Sequence, residues 1–253
     1  MIFWMGTHRE NWIECCDHPL FVSHSRLRRR KRLPRSIGPV AIDSCGFSEL
    51  SMHGKWTITP QEYVRAVRRY SEEVGIVWAA QQDWMCEPFV REKTGLSVVE
   101  HQRRTVENFL RLMDLAPDLP WVPVLQGWKI DDYFDHLEMF AESGIRLAEL
   151  PLVGLGSVCR RQATDEIEEL VTALWSAGLK LHGFGVKKEG LARIGGYLES
   201  ADSMAWSRTA RYDEPLPGHT HKNCANCLDY ALLWRQKVLA GVQTGEELQP
   251  LLW

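Results

Sequence analysis

Eight short apolar runs recur along the chain, at 2–6, 19–23, 39–43, 75–80, 121–126, 145–150, 179–185 and 201–206. Runs this short with few internal charges read as strands buried on both faces, which is the habit of parallel sheets covered by helices. Helical patterns fall between them. Thr59-Pro60 is an N-cap and first-turn pair opening 60–73, where Tyr63, Val64, Val67 and Tyr70 share a face. Segment 98–113 carries a second stripe (Val106, Phe109, Leu110, Met113), and 132–143 and 164–177 end at Gly144 and Gly178, suited to closing a helix. Strand–helix alternation of this kind is an α/β pattern, and eight strands fit one closed (β/α)8 TIM barrel over 1–253. An open doubly wound sheet is the alternative that periodicity leaves standing. There is no internal repeat, no low-complexity linker and no Gly-rich dinucleotide or P-loop fingerprint.

Seven cysteines, two of them adjacent (Cys15, Cys16), argue against a disulfide framework and for a reducing, cytoplasmic setting. The apolar start of the chain is too short for a signal peptide, and no run approaches the roughly 18 apolar residues of a membrane span. Net charge is only −3, so overall charge names no polyanionic partner. The distribution does: 26–35 is a dense basic block, in which Arg28, Arg29, Arg30, Lys31 and Arg32 suit contact with a nucleic-acid backbone. A solvated surface run, or a targeting signal, is the plainer reading of the same block.

In a barrel of this kind, function gathers where the strands end. Those ends supply Asp43-Ser44, Asp83, Gln126-Gly127, the 154–157 loop with Gly154, residues 183–186, and Asp202-Ser203. Any one aspartate followed by serine is as well explained as a helix cap. Three of them, with an amide and glycines that let a flat ligand near the backbone, point to one binding pocket. Further on, His219, His221, Cys224 and Cys227 form His-x-His-x2-Cys-x2-Cys, a set of thiolates and imidazoles suited to tetrahedral zinc. Four protein ligands leave no open position, so this metal is structural and pins the segment 212–240, with its terminal helix 228–240, after Asp202. His182 reads as a hydrogen-bonded core or pocket histidine. Arg160 and Arg161 suit a phosphate as well as plain solvent, and Trp84 and Trp128 stand beside Asp83 and Gln126 where they would sandwich a purine.

Several of these segments resemble one family. Asp43-Ser-Cys-Gly-Phe47 resembles the Asp-Ser-Gly-Gly-Phe signature of tRNA-guanine transglycosylases, Val124-Leu-Gln-Gly127 their Val-Gln-Gly motif, and 202–211 the segment holding their nucleophilic aspartate. Gly6-Thr-His, Gln82-Asp-Trp-Met-Cys-Glu-Pro88, Leu125-Gln-Gly-Trp128, Gly156-Ser-Val-Cys-Arg-Arg-Gln162, Leu181-His-Gly-Phe-Gly-Val-Lys187 and Cys224-Ala-Asn-Cys227 are closer still to the deazapurine DNA modification group, relatives of those enzymes in phages and bacterial DNA-modification clusters. The resemblance spans nearly the whole chain.

It implies a TIM barrel that exchanges guanine in DNA for a 7-deazaguanine base such as 7-cyano-7-deazaguanine, in a bacterial or phage-infected cytoplasm, with accessory modification proteins as further partners and no membrane. By the same resemblance Asp202 is the nucleophile at C1′ and Asp43 the general acid and base. Asp83 reads the Watson–Crick edge, with Ser44, Gln126, Gly127 and Gly154 completing the base site. The segment 101–104 falls where relatives hold a mobile substrate loop. Glycosidic chemistry agrees: a carboxylate stabilises or traps the oxocarbenium-like centre, and retention needs a separate proton carrier. A tRNA-directed enzyme and a non-catalytic nucleic-acid-binding subunit are the competing expectations. Two departures stand out. Cys45 occupies the place of the family's second glycine, and where the family has Cys-x-Cys-x2-Cys with a later histidine, Lys222 replaces the first cysteine and the histidines lie upstream of the pair.

Overall fold

The computed structural model describes residues 1–161 and 163–242; Gln162 and the last eleven residues of the expected domain lie outside the described residues. Nine strands run β1 (Ile2–Thr7), β2 (Leu20–Ser23), β3 (Val40–Asp43), β4 (Trp78–Ala80), β5 (Trp121–Val122), β6 (Val124–Leu125), β7 (Val153–Leu155), β8 (Leu181–Gly183) and β9 (Ser200–Ser203). The helices are α1 (His24–Leu27), α2 (Gly46–His53), α3 (Pro60–Arg69), α4 (Pro88–Thr94), α5 (Val98–Leu115), α6 (Ile130–Glu142), α7 (Asp165–Ser176), α8 (Lys188–Ile194), α9 (Ala205–Thr209) and α10 (Leu228–Leu239). Every pairing is parallel, in the order β5-β4-β3-β2-β1-β9-β8-β7-β6. The two ends of that order, β5 and β6, are separated in the chain by Pro123 alone. The sheet has therefore curled until its edges meet on one segment, giving a near-closed parallel barrel ringed by helices.

Period-two alternation decides what each strand presents. Trp4, Phe21, Ala41, Trp78, Ala80 and Val122 form one small cluster inside the barrel. Their neighbours Phe3, Met5, Leu20, Val22, Val40, Ile42 and Ala79 belong to the larger core between strands and helices. Asp43 has the parity of Ala41, and Asp202 pairs across the sheet with Trp4, so both carboxylates share the parity of the inner cluster. Helix starts are set locally: Thr59 and Glu62 make a reciprocal capping box ahead of Pro60. Gly144 and Gly178 adopt left-handed conformations just past α6 and α7, where glycine is favoured.

One expected strand is displaced. Residues 145–150 are not in the sheet; Ile145 N–H bonds back to Phe140 and Leu147–Glu149 forms a single 3-10 turn. Its alternating apolar residues imitate a strand, but Leu147 is buried from outside the barrel, and the ladder is taken up after Pro151 by Val153–Leu155. Gly154, expected in a loop, is thus a central ladder residue whose absent Cβ leaves room for Phe184; a Cβ would lie 2.4 Å from that ring. Among the described residues no helix is long and apolar enough to cross a membrane.

Candidate active site

A cavity of about 290 Å³ opens at the C-terminal ends of the strands. Thr7 at the end of β1, Ser23 at the end of β2, Asp43 at the end of β3, Asp83 after β4, Gln126 after β6, Ser157 after β7, Gly185 after β8 and Asp202 on β9 all reach it. Of the residues expected there, Asp43, Ser44, Asp83, Gln126 and Asp202 line the cavity, while Gly127 and Gly154 do not. Gly127 instead lies under Tyr133, whose ring atoms a Cβ would meet at 2.7 Å. The apolar walls come from Phe21, Phe47, Met85, Phe184 and Met204. Trp84 is buried with Leu50 and Val90 under Arg104, and Trp128 lies beneath Arg161, so neither tryptophan faces the cavity.

Each aspartate sits in a different electrostatic setting. Asp202 Oδ1 accepts the Gly185 N–H at 2.9 Å, and His182 Nε2 stands 3.4 Å from the same oxygen. The ring of His182 is fully buried and its Nδ1 is held by Ser200 Oγ at 2.8 Å, which leaves Nε2 beside the β9 carboxylate without a hydrogen-bond partner. Asp43 accepts the Cys45 N–H at 3.1 Å. Burial raises its affinity for a proton, the Cys45 and Ser23 hydrogen bonds oppose this, and the negative charge of Asp202 adds to the rise. Cys45 itself has φ 67, which explains why a glycine suits this turn and shows the thiol-bearing residue adopting the same left-handed geometry. Asp83 is pushed up to about 7 by burial, against the Gln126 hydrogen bond that lowers it and with Asp43 and Glu87 adding repulsion.

Two residues with no role in the sequence reading complete this floor. Glu87, at the start of α4, and Ser157, at φ 57 after β7, both line the cavity and are joined by a hydrogen bond of 2.8 Å across a separation of 70 residues. Nothing local in the sequence marks that contact, although Glu87 lies within the 82–88 motif and Ser157 within the 156–162 motif that carry the resemblance.

The basic residues take other places. Arg30 pairs with Glu10, and Arg69 of α3 donates to the carbonyls of Arg30 and Lys31, so the block lies along the outer wall beside α3. Arg28, Arg29, Lys31 and Arg32 are exposed and none of them lines the cavity. Arg160 lies over Phe89 at 4.5 Å and over Phe47, itself a cavity residue, at 5.6 Å. Arg161 pairs with Glu166. His101 and Gln102 are internal, and Arg103 and Arg104 are paired to Glu100.

The ligand atoms of His219, His221, Cys224 and Cys227 lie within 4.8 Å of one another, a cluster able to hold a metal ion. His219 turns Nδ1 toward Cys227 and Nε2 toward Asp229 at 3.5 Å, the outer carboxylate that orients ligating histidines. Leu216 N–H points at Cys224 Sγ at 3.4 Å. Around the cluster, Ser207 Oγ donates to Ala225 O, His8 Nε2 meets Asn226 Oδ1, and Trp206 Nε1 donates to Gly6 O. The clip therefore ties α9 and α10 to the end of β1, next to the strand that carries Asp202.

Three carboxylates thus converge at the strand ends of a near-closed parallel barrel. The sequence model of DpdA, DeoxyPurine in DNA protein A, matches residues 1–249, and the chain belongs to that family of deazapurine DNA-modifying transglycosylase-type enzymes. No curated protein matches the chain.

Proposed function

We propose that this enzyme removes guanine from DNA and installs a 7-deazaguanine base such as 7-cyano-7-deazaguanine by two displacements at C1′. Asp202 attacks C1′ as the glycosidic bond breaks, and Asp43 delivers a proton to the departing guanine. The incoming base then gives its N9 proton to Asp43 and displaces the aspartyl ester, restoring both carboxyl groups. The observation that carries this reading is the convergence of Asp43, Asp83 and Asp202, from three different strand ends, on one cavity. Its volume is at the low end of the roughly 300–1,000 Å³ of small-ligand sites, which suits a base and its sugar rather than a polymer. Asp83 supplies acceptors to the Watson–Crick edge, backed by Gln126, and Ser44 adds a polar group beside Asp43.

We read β5 and β6 as one strand interrupted at Pro123, where the missing N–H breaks the ladder, so that the barrel counts as (β/α)8 within one domain. We assign zinc to the His219, His221, Cys224 and Cys227 cluster, whose two sulfur and two nitrogen donors fit that ion in a closed structural site. Bound there, the ion supplies a cross-link and no reacting group. Exposed Arg28, Arg29, Lys31 and Arg32, with Arg160 and Arg161 nearer the cavity, are the proposed phosphate contacts. The setting that fits this substrate is the cytoplasm of a bacterial or phage-infected cell, alongside accessory modification proteins.

The test is to incubate enzyme with a guanine-containing strand and capture the glycosyl-enzyme ester by denaturation and mass spectrometry. Wild type should carry an adduct on Asp202, and Asp202→Ala should remain folded with no adduct and no exchange. Normal turnover in that variant would remove Asp202 from the mechanism.

A further inference from the structure

The floor of the cavity is a chain of four polar side chains whose hydrogens can be counted. Ser157 Oγ receives the Cys86 N–H at 2.9 Å and stands 2.8 Å from Glu87 Oε2 and 2.6 Å from Gln126 Oε1. The far side of that amide, Gln126 Nε2, donates to Asp83 Oδ2. The backbone of Gln126 is clamped by His136 Nδ1 on its N–H and by Gln102 Nε2 on its carbonyl, so only the side chain has freedom. Gly156 makes room for that side chain, since a Cβ at this position would collide with Gln126 Nε2.

A serine hydroxyl has one hydrogen and two acceptor lone pairs. With both Glu87 and Gln126 Oε1 as acceptors, one of these close contacts would lack a proton, at the cost of a buried unpaired group. The count closes if Glu87 is a carboxylic acid. Glu87 then donates to Ser157, Ser157 donates to Gln126 Oε1, and Gln126 donates to Asp83. The opposite arrangement turns the amide over, places its oxygen against Asp83 and requires the proton on Asp83 instead. In either state the network holds one proton, on Glu87 or on Asp83, and the amide of Gln126 reports which.

We propose that Glu87 is the proton-bearing member, a positioning residue that through Ser157 holds the Gln126 amide nitrogen toward Asp83 and so keeps Asp83 a carboxylate, an acceptor for a base edge that presents N–H donors. This rests on the reading of the cavity as a guanine and 7-deazaguanine site. Glu87 is buried at 3% exposure, and burial raises its affinity for a proton more than the Ser157 hydrogen bond, its own backbone N–H, Arg160 and Arg161 together lower it. Those two guanidinium groups on the Glu87 side, and Asp43 on the Asp83 side, are the charged groups bearing on the network. A base offering an acceptor where guanine has N1–H meets two lone pairs and is rejected, so the proton on Glu87 becomes a determinant of base choice.

The experiment is carboxyl-carbon NMR on the full-length enzyme labelled only at glutamate, with the Glu87 resonance assigned by its loss in Glu87→Gln. The expected resonance is that of a protonated acid persisting above neutral pH; one that titrates in the ordinary carboxylate range overturns the proposal. Binding of free guanine provides the second arm. Glu87→Gln, whose amide N–H replaces the acid proton, should bind within about twofold of wild type, while Ser157→Ala should weaken binding about tenfold. Equal losses in the two variants would equally overturn it. The titration needs no turnover, so it succeeds or fails independently of base exchange itself.

Discussion

At the scale of single residues, the aspartates differ in what their surroundings ask of them. Asp83 pays for its place in the floor by being buried, which brings its proton affinity up to about 7. Because the folded value exceeds the unfolded one, the folded state binds the extra proton, and the stability this brings is present at low pH and fades as pH rises from the ordinary carboxylate range to about 7. Asp83→Asn should therefore raise stability above neutral pH by on the order of a few kcal/mol, with no advantage left at acid pH. Paired melts at the two extremes check this, and a gain of equal size at both would refute the cause given. Gly156→Ala should behave in the opposite way. Its Cβ collides with the far end of a flexible side chain rather than with backbone, so the fold should survive while Gln126 is driven off Asp83. Base affinity measured by calorimetry should drop roughly tenfold or more with little change in melting temperature. The three aspartates were legible in the sequence because each lies in or just past an apolar run. Glu87 and Ser157 were not, since their meaning lies in a contact across 70 residues.

At the scale of elements, the sequence disclosed strands better where the residue pattern and the sheet agreed. Runs at 2–6, 19–23 and 39–43 coincide with β1, β2 and β3, since both of their faces are buried and their ends carry turn chemistry. The run at 145–150 misled because its apolar residues alternate as in a strand, although Leu147 alone among them is buried. The short strand holding Gly154 escaped notice because a glycine there reads as loop, although close approach of Phe184 is what demands it. The metal clip is the element whose removal can be tested directly. It joins α9 and α10 to β1 by side chains around the cluster, and its binding energy is folding energy. One zinc per chain should be found by elemental analysis. Chelation should lower the melting temperature and raise amide exchange first in α10 and β1, with base exchange lost only as the protein unfolds. Fully folded, metal-free enzyme with a normal melting curve would dismiss the structural role.

At the scale of the whole molecule, the proposed reaction divides the substrate between the acidic cavity and the basic outer wall. In the proposed reaction the carboxylates of Asp83 and Asp202 inside the cavity repel phosphates, so the backbone stays outside while a single nucleoside enters. A base stacked in a duplex cannot bring C1′ to Asp202, and the target must be extruded or already single-stranded. Extrusion costs a few kcal/mol less in unpaired DNA, so exchange should be faster on a single strand or a mismatched guanine than on a matched duplex. The exposed members of the basic block, Arg28, Arg29, Lys31 and Arg32, should each set part of the salt dependence, whereas Arg30 is already engaged by Glu10. Replacing one exposed member by alanine should lower the slope of log K against log salt by roughly 0.7–0.9 where it touches a phosphate, and Arg30→Ala should change it less. Direct competition with labelled base then decides the polymer. Guanine-containing DNA and a tRNA of matched accessibility are offered together, and label should enter the DNA. Preferential incorporation into tRNA would overturn the assignment of polymer while leaving the barrel and its three aspartates in their roles.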